Sequence, residues 1–98
     1  MRPTTMVWLG IRHVGAEGGE TVQEFNDSAM ECVKHILRVI MTTALRKRFQ
    51  ISIAATEDEM RRGLETVRKQ PADPALDSAT DLLAGIMAGW ADDPNVVE

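Results

Sequence analysis

Residues Leu82 to Ala91 read Leu-Leu-Ala-Gly-Ile-Met-Ala-Gly-Trp-Ala, with no charge and only the Trp90 indole as a polar side-chain group. A helix that is apolar all round has to be buried all round. A chain of 98 residues has little interior to offer such a segment. A domain of this size hides only roughly 65 % of the surface that its unfolded form exposes. The run therefore predicts that something beyond the chain's own core covers part of it, either a second copy or another protein. Gly85 and Gly89 lie inside the run, and each glycine costs a helix about 1 kcal/mol relative to alanine. Close approach of a second backbone offsets such a cost, because it needs positions without side chains.

The helix that carries this run is well delimited. Asp73-Pro74 supplies an N-cap and a proline for the first turn, Asp77 adds charge at the same end, and Asp92-Asp93-Pro94 stops the helix near Ala91. Its core stripe is Leu76, Ala79, Leu83, Ile86 and Trp90. Upstream, Thr56-Glu57-Asp58-Glu59 forms a capping box, and Pro71 ends the helix that it opens at about Gln70. Met60, Leu64 and Val67 give that helix only a thin apolar stripe, which places it on the outside.

Thr21-Val22-Gln23-Glu24 has the same capping-box form and predicts a long central helix over about 22–47. Phe25, Ala29, Val33, Ile36, Ile40 and Ala44 make one stripe along it. Met30, Leu37, Met41 and Leu45 widen that stripe past a half-circumference, so this helix is touched on two sides. Acids (Glu24, Asp27, Glu31) precede bases (Lys34, Arg38, Arg46, Lys47, Arg48) along the same stretch, the order the helix dipole favours.

Strand signals are shorter. In Thr4 to Val14, Val7, Leu9 and Ile11 point one way while Met6, Trp8 and Gly10 point the other. Arg48 to Ile53 also alternates, although Leu45, Phe49 and Ile53 are spaced to continue a helix as well. Gly15 to Gly19 reads as a linker. A phosphate loop would end in Gly-Lys-Ser or Gly-Lys-Thr, and here Glu20 and Thr21 follow. The fold expected is mainly α. It is a three-helix domain of long central helix, outer helix and apolar C-terminal helix, with one or two short strand segments. Residues 1–98 make a single domain: 1–20 strand and glycine-rich loop, 21–93 helical body, 94–98 a loose tail.

Charge narrows the partners. The net charge is −4, but it is uneven. Residues 73–98 carry Asp73, Asp77, Asp81, Asp92, Asp93 and Glu98 and no base. That third would repel nucleic acid and anionic membrane alike. The single cysteine, Cys32, cannot form an internal disulfide, which fits a reducing cytoplasm. The apolar stretch from Met6 to Ile11 is too short for a signal peptide, and the run near the C-terminus is half the roughly 20 residues that span a bilayer.

No catalytic or metal-binding constellation stands out. Cys32 and His35 share a helix turn with Glu31, but the remaining His13 lies in a strand and no second ligand pair completes a site. A nucleophilic Cys32 would need a base, an orienting group and an oxyanion hole, and its apolar neighbours keep a thiol protonated. No metal and no cofactor are expected.

Two binding functions follow. The first uses the surplus apolar helix, its small residues and the adaptable Met side chains. It predicts a non-enzymatic regulatory protein of the inhibitor or anti-activator type found in bacteria and their phages. Its partners are itself, as a homodimer, and a larger protein such as a transcription factor or effector complex. Leu82, Gly85, Ile86, Gly89 and Trp90 are the candidate contact residues, with Trp90 as anchor. In the second, the order strand-helix-helix over 48–91 resembles the ribbon-helix-helix family of dimeric DNA binders. That resemblance implies that Arg48, Gln50 and Ser52 enter the major groove while Phe49, Ile51 and Ile53 face the core. The chain departs from that family where Asp73 and Asp77 stand at the helix end that should meet phosphate.

Overall fold

The computed structural model describes residues 2–15, 19–42, 48–68 and 73–91. The chain runs β1 (Met6–Val14), β2 (Glu20–Ser28), α1 (Ala29–Thr42), β3 (Arg48–Ala54), α2 (Glu57–Arg68), β4 (Asp73–Pro74) and α3 (Ala75–Ala91). The fold is therefore mixed α/β, not the mainly α domain that helical periodicity predicts. An antiparallel sheet β2-β1-β3, lengthened at one corner by the two-residue β4, is packed with three helices.

The correction centres on residues 20–28. The capping box at Thr21 does not open a helix. This segment is instead a nine-residue strand that pairs with β1 without interruption, from Met6 opposite Ser28 to Val14 opposite Glu20. β1 is the apolar centre of the molecule, and its backbone groups must be satisfied along both sides once it is buried. The segment that follows in the chain, tied to the end of β1 by Gly15 N–H donating to the Gly19 carbonyl at 2.8 Å, satisfies one side whatever its own propensity. The helix begins only at Ala29. There Ser28 Oγ accepts from the Glu31 amide at 3.2 Å, and the Ala29 and Met30 amides donate to Thr5 and Pro3 carbonyls, both at 2.9 Å. Three free donors of the first turn are thereby satisfied. The expected continuation of this helix to residue 47, the middle of the Gly15–Gly19 linker, the stop at Pro71 and the tail 94–98 lie outside the described residues.

Residues directly opposite one another in a sheet share a face. On one face Val7, Leu9 and Ile11 of β1 lie with Phe25 of β2 and Phe49, Ile51 and Ile53 of β3. Ala29, Cys32, Ile36 and Val39 of α1 close over them, with Leu83 and Trp90 of α3 packed against the same cluster. On the other face Trp8, Gly10 and Arg12 lie with Glu24 and Val22 of β2 and with Ser52 and Gln50 of β3. There α2 packs through Met60 and Leu64. A Cβ on Gly10 would strike the Met60 sulfur and come within 2.6 Å of Leu64 Cδ1, and one on Gly63 would strike the Ser52 hydroxyl. The strand alternation foreseen for β1 is thus the division between the two sides of the sheet. α1 and α3 pack together on one face of the sheet, and α2 lies on the other. Among the described residues no helix is long and apolar enough to cross a membrane.

Candidate binding surfaces

α1 carries two apolar stripes, as its sequence requires, but only one is covered. Ala29, Cys32, Ile36 and Val39 are buried. Met30, Leu37 and Met41, spaced by seven and four residues, lie on the outside, and Met41 is 85 % exposed. α3 adds to the same layer. Met87 is 57 % exposed, Ala84, Gly85 and Ala88 are exposed beside it, and no charged residue follows Asp81 in this helix. The outer side of the α1/α3 layer thus carries flexible Met side chains and small residues, interrupted on α1 by the exposed Lys34, which is paired with Glu31 at 2.9 Å.

The contact residues read from sequence divide. Ile86 is buried (7 % exposed) and Trp90 is half-buried against the sheet core, so both hold α3 to its own molecule. Gly85 is exposed and Gly89 half-buried, and a Cβ built at either meets nothing within 4 Å. Among the described residues, no neighbouring atom would meet a side chain at either position. The side chain of Leu82 lies outside the described residues. The Trp90 indole nitrogen is buried and has no hydrogen-bond partner among the described residues.

Two of the three DNA-facing residues of the ribbon-helix-helix pattern are occupied at home. Gln50 Nε2 donates to the Val67 carbonyl at 2.7 Å, and Ser52 lies under Gly63, so both point into α2. β3 is also flanked by β1 and β4 rather than offered at the start of a free ribbon.

Cys32 and His35 do not form a catalytic pair. The Cys32 thiol donates to the Asp27 carbonyl at 3.8 Å, and burial, aided by the Asp27 charge, pushes its pKa up from 9.0 to about 11. His35 stacks on Phe25, ring centroids 4.2 Å apart. Its Nε2 lies 3.3 Å from Asp27 Oδ2 and its Nδ1 lies 3.4 Å from an Arg38 guanidinium nitrogen. An Arg N–H can only donate, which assigns the acceptor role to Nδ1 and lets Nε2–H donate to Asp27. His35 is therefore a tie between β2 and α1. Among the described residues no three His, Cys, Asp or Glu side chains gather as a metal site would require.

Sequence reasoning missed Arg12. It is 2 % exposed and sits on the α2 side of β1. One terminal nitrogen donates to Gln50 Oε1 at 2.6 Å and to the Leu64 carbonyl at 3.0 Å, while the other lies 3.5 Å from Glu65. Arg12 and Gln50 together meet carbonyls near the C-terminal, negative end of α2. Arg12 also floors a groove of about 390 Å³ between β2 and α2, walled by Val22, Glu24, Arg61, Glu65 and Arg68. The wall charges are engaged with one another: Arg61 Nε donates to Glu24 at 2.8 Å and Arg68 to Glu20 at 3.0 Å. The available signal was a single arginine on the alternate face of an otherwise apolar strand.

No protein-family model matches the chain, and neither the curated proteins nor the solved structures hold a significant match.

Proposed function

We propose that this chain is a non-enzymatic binding protein of the inhibitor or anti-activator kind. It works in the cytoplasm as a pair of identical copies, each presenting the outer side of α1 and α3 to a larger protein such as a transcription factor or effector complex. The observation that carries this reading is the row of long apolar side chains left outside on that layer: Met30, Leu37 and Met41 on α1 and Met87 on α3. Single exposed apolar residues are ordinary, whereas several on one layer mark a contact surface. Three of the four are Met, whose unbranched side chain adapts to a partner's shape. The acidic balance of the C-terminal third directs the surface toward protein rather than toward phosphate.

Leu37→Asp and Met87→Asp test it. Both side chains are exposed, so both variants should keep the native circular dichroism and oligomeric mass. Affinity capture from the native host should recover a partner with the natural chain and lose it with either variant. The same partner at the same yield with both variants would sink the reading.

A further inference from the structure

We propose that two copies of this chain join edge to edge along β2, antiparallel about a twofold axis through Gln23, so that the two sheets become one. The proposal rests on the paired state put forward above and says where the copies meet. β2 is the outermost strand on its side of the sheet, and among the described residues nothing pairs with its outer edge. Proteins guard such edges with proline, lysine, a bulge or a covering element. β2 has no proline and no lysine, and its nine-residue register with β1 has no break that would mark a bulge.

Its three acids are the remaining guard, and all three are engaged by their own chain. Glu20 accepts from Arg68 at 3.0 Å and Glu24 from Arg61 at 2.8 Å, both arginines reaching over from α2. Asp27 accepts from the Ser28 amide at 2.9 Å and lies 3.3 Å from His35 Nε2. The edge thus offers a row of backbone donors and acceptors with its charge compensated, and another extended strand matches that chemistry.

The register selects a second copy as that strand. With the axis at Gln23, Glu20 stands opposite Asn26, Thr21 opposite Phe25 and Val22 opposite Glu24. No acid opposes an acid, and an aromatic residue meets a β-branched one, a favourable cross-strand pair. An axis at Val22 sets Glu20 against Glu24, and an axis at Glu24 sets Glu24 against itself. An axis at Phe25 carries Glu20 and Thr21 beyond Ser28, where the neighbouring chain leaves the sheet for α1. This joint leaves the proposed partner face free. His35 marks the side of α1 turned to β2, and at 100° per residue Met30, Leu37 and Met41 fall on its opposite half.

Gln23→Cys tests the joint. Cα atoms opposed across antiparallel strands lie about 4.5–5.5 Å apart, inside the roughly 4.4–6.8 Å range of a disulfide. Thr21→Cys is the control, since its two copies would lie four residues apart along the strands, about 13 Å. Both variants keep the buried native Cys32. Light scattering should give twice the chain mass, and mild oxidation should link Gln23→Cys but not Thr21→Cys. Gln23→Glu, with unchanged circular dichroism, should weaken dimerisation about tenfold by setting like charges face to face. A dimer that Gln23→Cys fails to link, or that Gln23→Glu leaves at full strength, overturns the joint while the paired state stands. A monomeric mass overturns both, and leaves the partner face to its own test.

Discussion

The two sides of this sheet are held by opposite means. Under α1 and α3 the contact is made of side chains: Val7, Leu9, Ile11 and Phe49 meet Cys32, Ile36 and Val39. Under α2 it is made of missing side chains and polar ties. Gly10 and Gly63 let helix and sheet touch, Arg12 and Gln50 hold helix carbonyls, and arginine–glutamate pairs run along the rim. A helix with so few apolar residues can stay seated because its contacts are short and because Arg12 and Gln50 donate to its carbonyls. Removing apolar atoms should hurt the first side, whereas adding atoms or removing a polar tie should hurt the second.

The largest effect belongs to the first side. Leu9 is fully buried, and Leu9→Ala should cost about 3 kcal/mol through lost burial and the cavity left behind, read as a lower urea midpoint. A cost under about 1 kcal/mol would mean that the layer collapses onto the gap and is not closely packed. On the α2 side, Arg12→Met should cost about 2 kcal/mol, because Gln50 and the Leu64 carbonyl lose their donor inside the protein. Gly10→Ala should cost about 1–2 kcal/mol by overpacking against Leu64 and Met60. If alanine at position 10 proved neutral while Leu9→Ala did not, the direct seating of α2 on β1 would be wrong and the contrast would fail.

Cys32 probes the first side without a mutation. Because burial raises its pKa from 9.0 to about 11, the folded state keeps a proton that the unfolded chain releases in that window. Stability should therefore fall as pH rises from 9 toward 11. At pH 8 a thiol reagent should label the denatured chain quickly and the native chain slowly. Equal labelling rates would show that α1 does not cover the thiol.

Legibility in the sequence followed these same physical lines. β1 announced itself because its two faces differ, Val7, Leu9 and Ile11 against Met6, Trp8 and Gly10. α2 was legible in its capping box, and Glu59 N–H does donate to Thr56 Oγ1 at 3.2 Å. α3 was legible as a helix, but Asp73-Pro74, expected as its N-cap and first turn, is the short strand β4 paired with β3, and the helix opens at Ala75. β2 was not. Most of its residues are exposed, so no apolar alternation marks it, and its strand state comes from pairing with β1. Its Thr21-x-x-Glu24 box imitates the real helix start, Ser28-x-x-Glu31, seven residues later. The second stripe of α1 was visible as Met30, Leu37 and Met41, but only the layer order shows that nothing within the described chain covers it. Gly63 and Arg12 were opaque because their value depends on what lies across the sheet from them.

The smallest effect sharpens the comparison most, because it separates the rim of the α2 side from its floor. The Arg61 hydrogen bond lowers the Glu24 pKa below its ordinary 4.5. A depressed carboxylate pKa stabilises the fold above the unfolded value and loses that contribution as pH falls through the folded one. The side chain of Glu24 is 30 % exposed and that of Arg61 is 57 % exposed, so salt screens their attraction. Glu24→Gln should therefore lower stability less than any change above, and only at low ionic strength and above pH 4.5. The natural chain and the variant should converge as the solution is acidified below that point. Arg12→Met should show neither dependence, since its main ties are to a carbonyl and an amide oxygen rather than to a titrating group. A Glu24→Gln loss as large as that of Arg12→Met, and indifferent to salt, would move the strength of the α2 contact from its floor to its rim. It would also leave the β2 edge guarded by a rigid, structural charge.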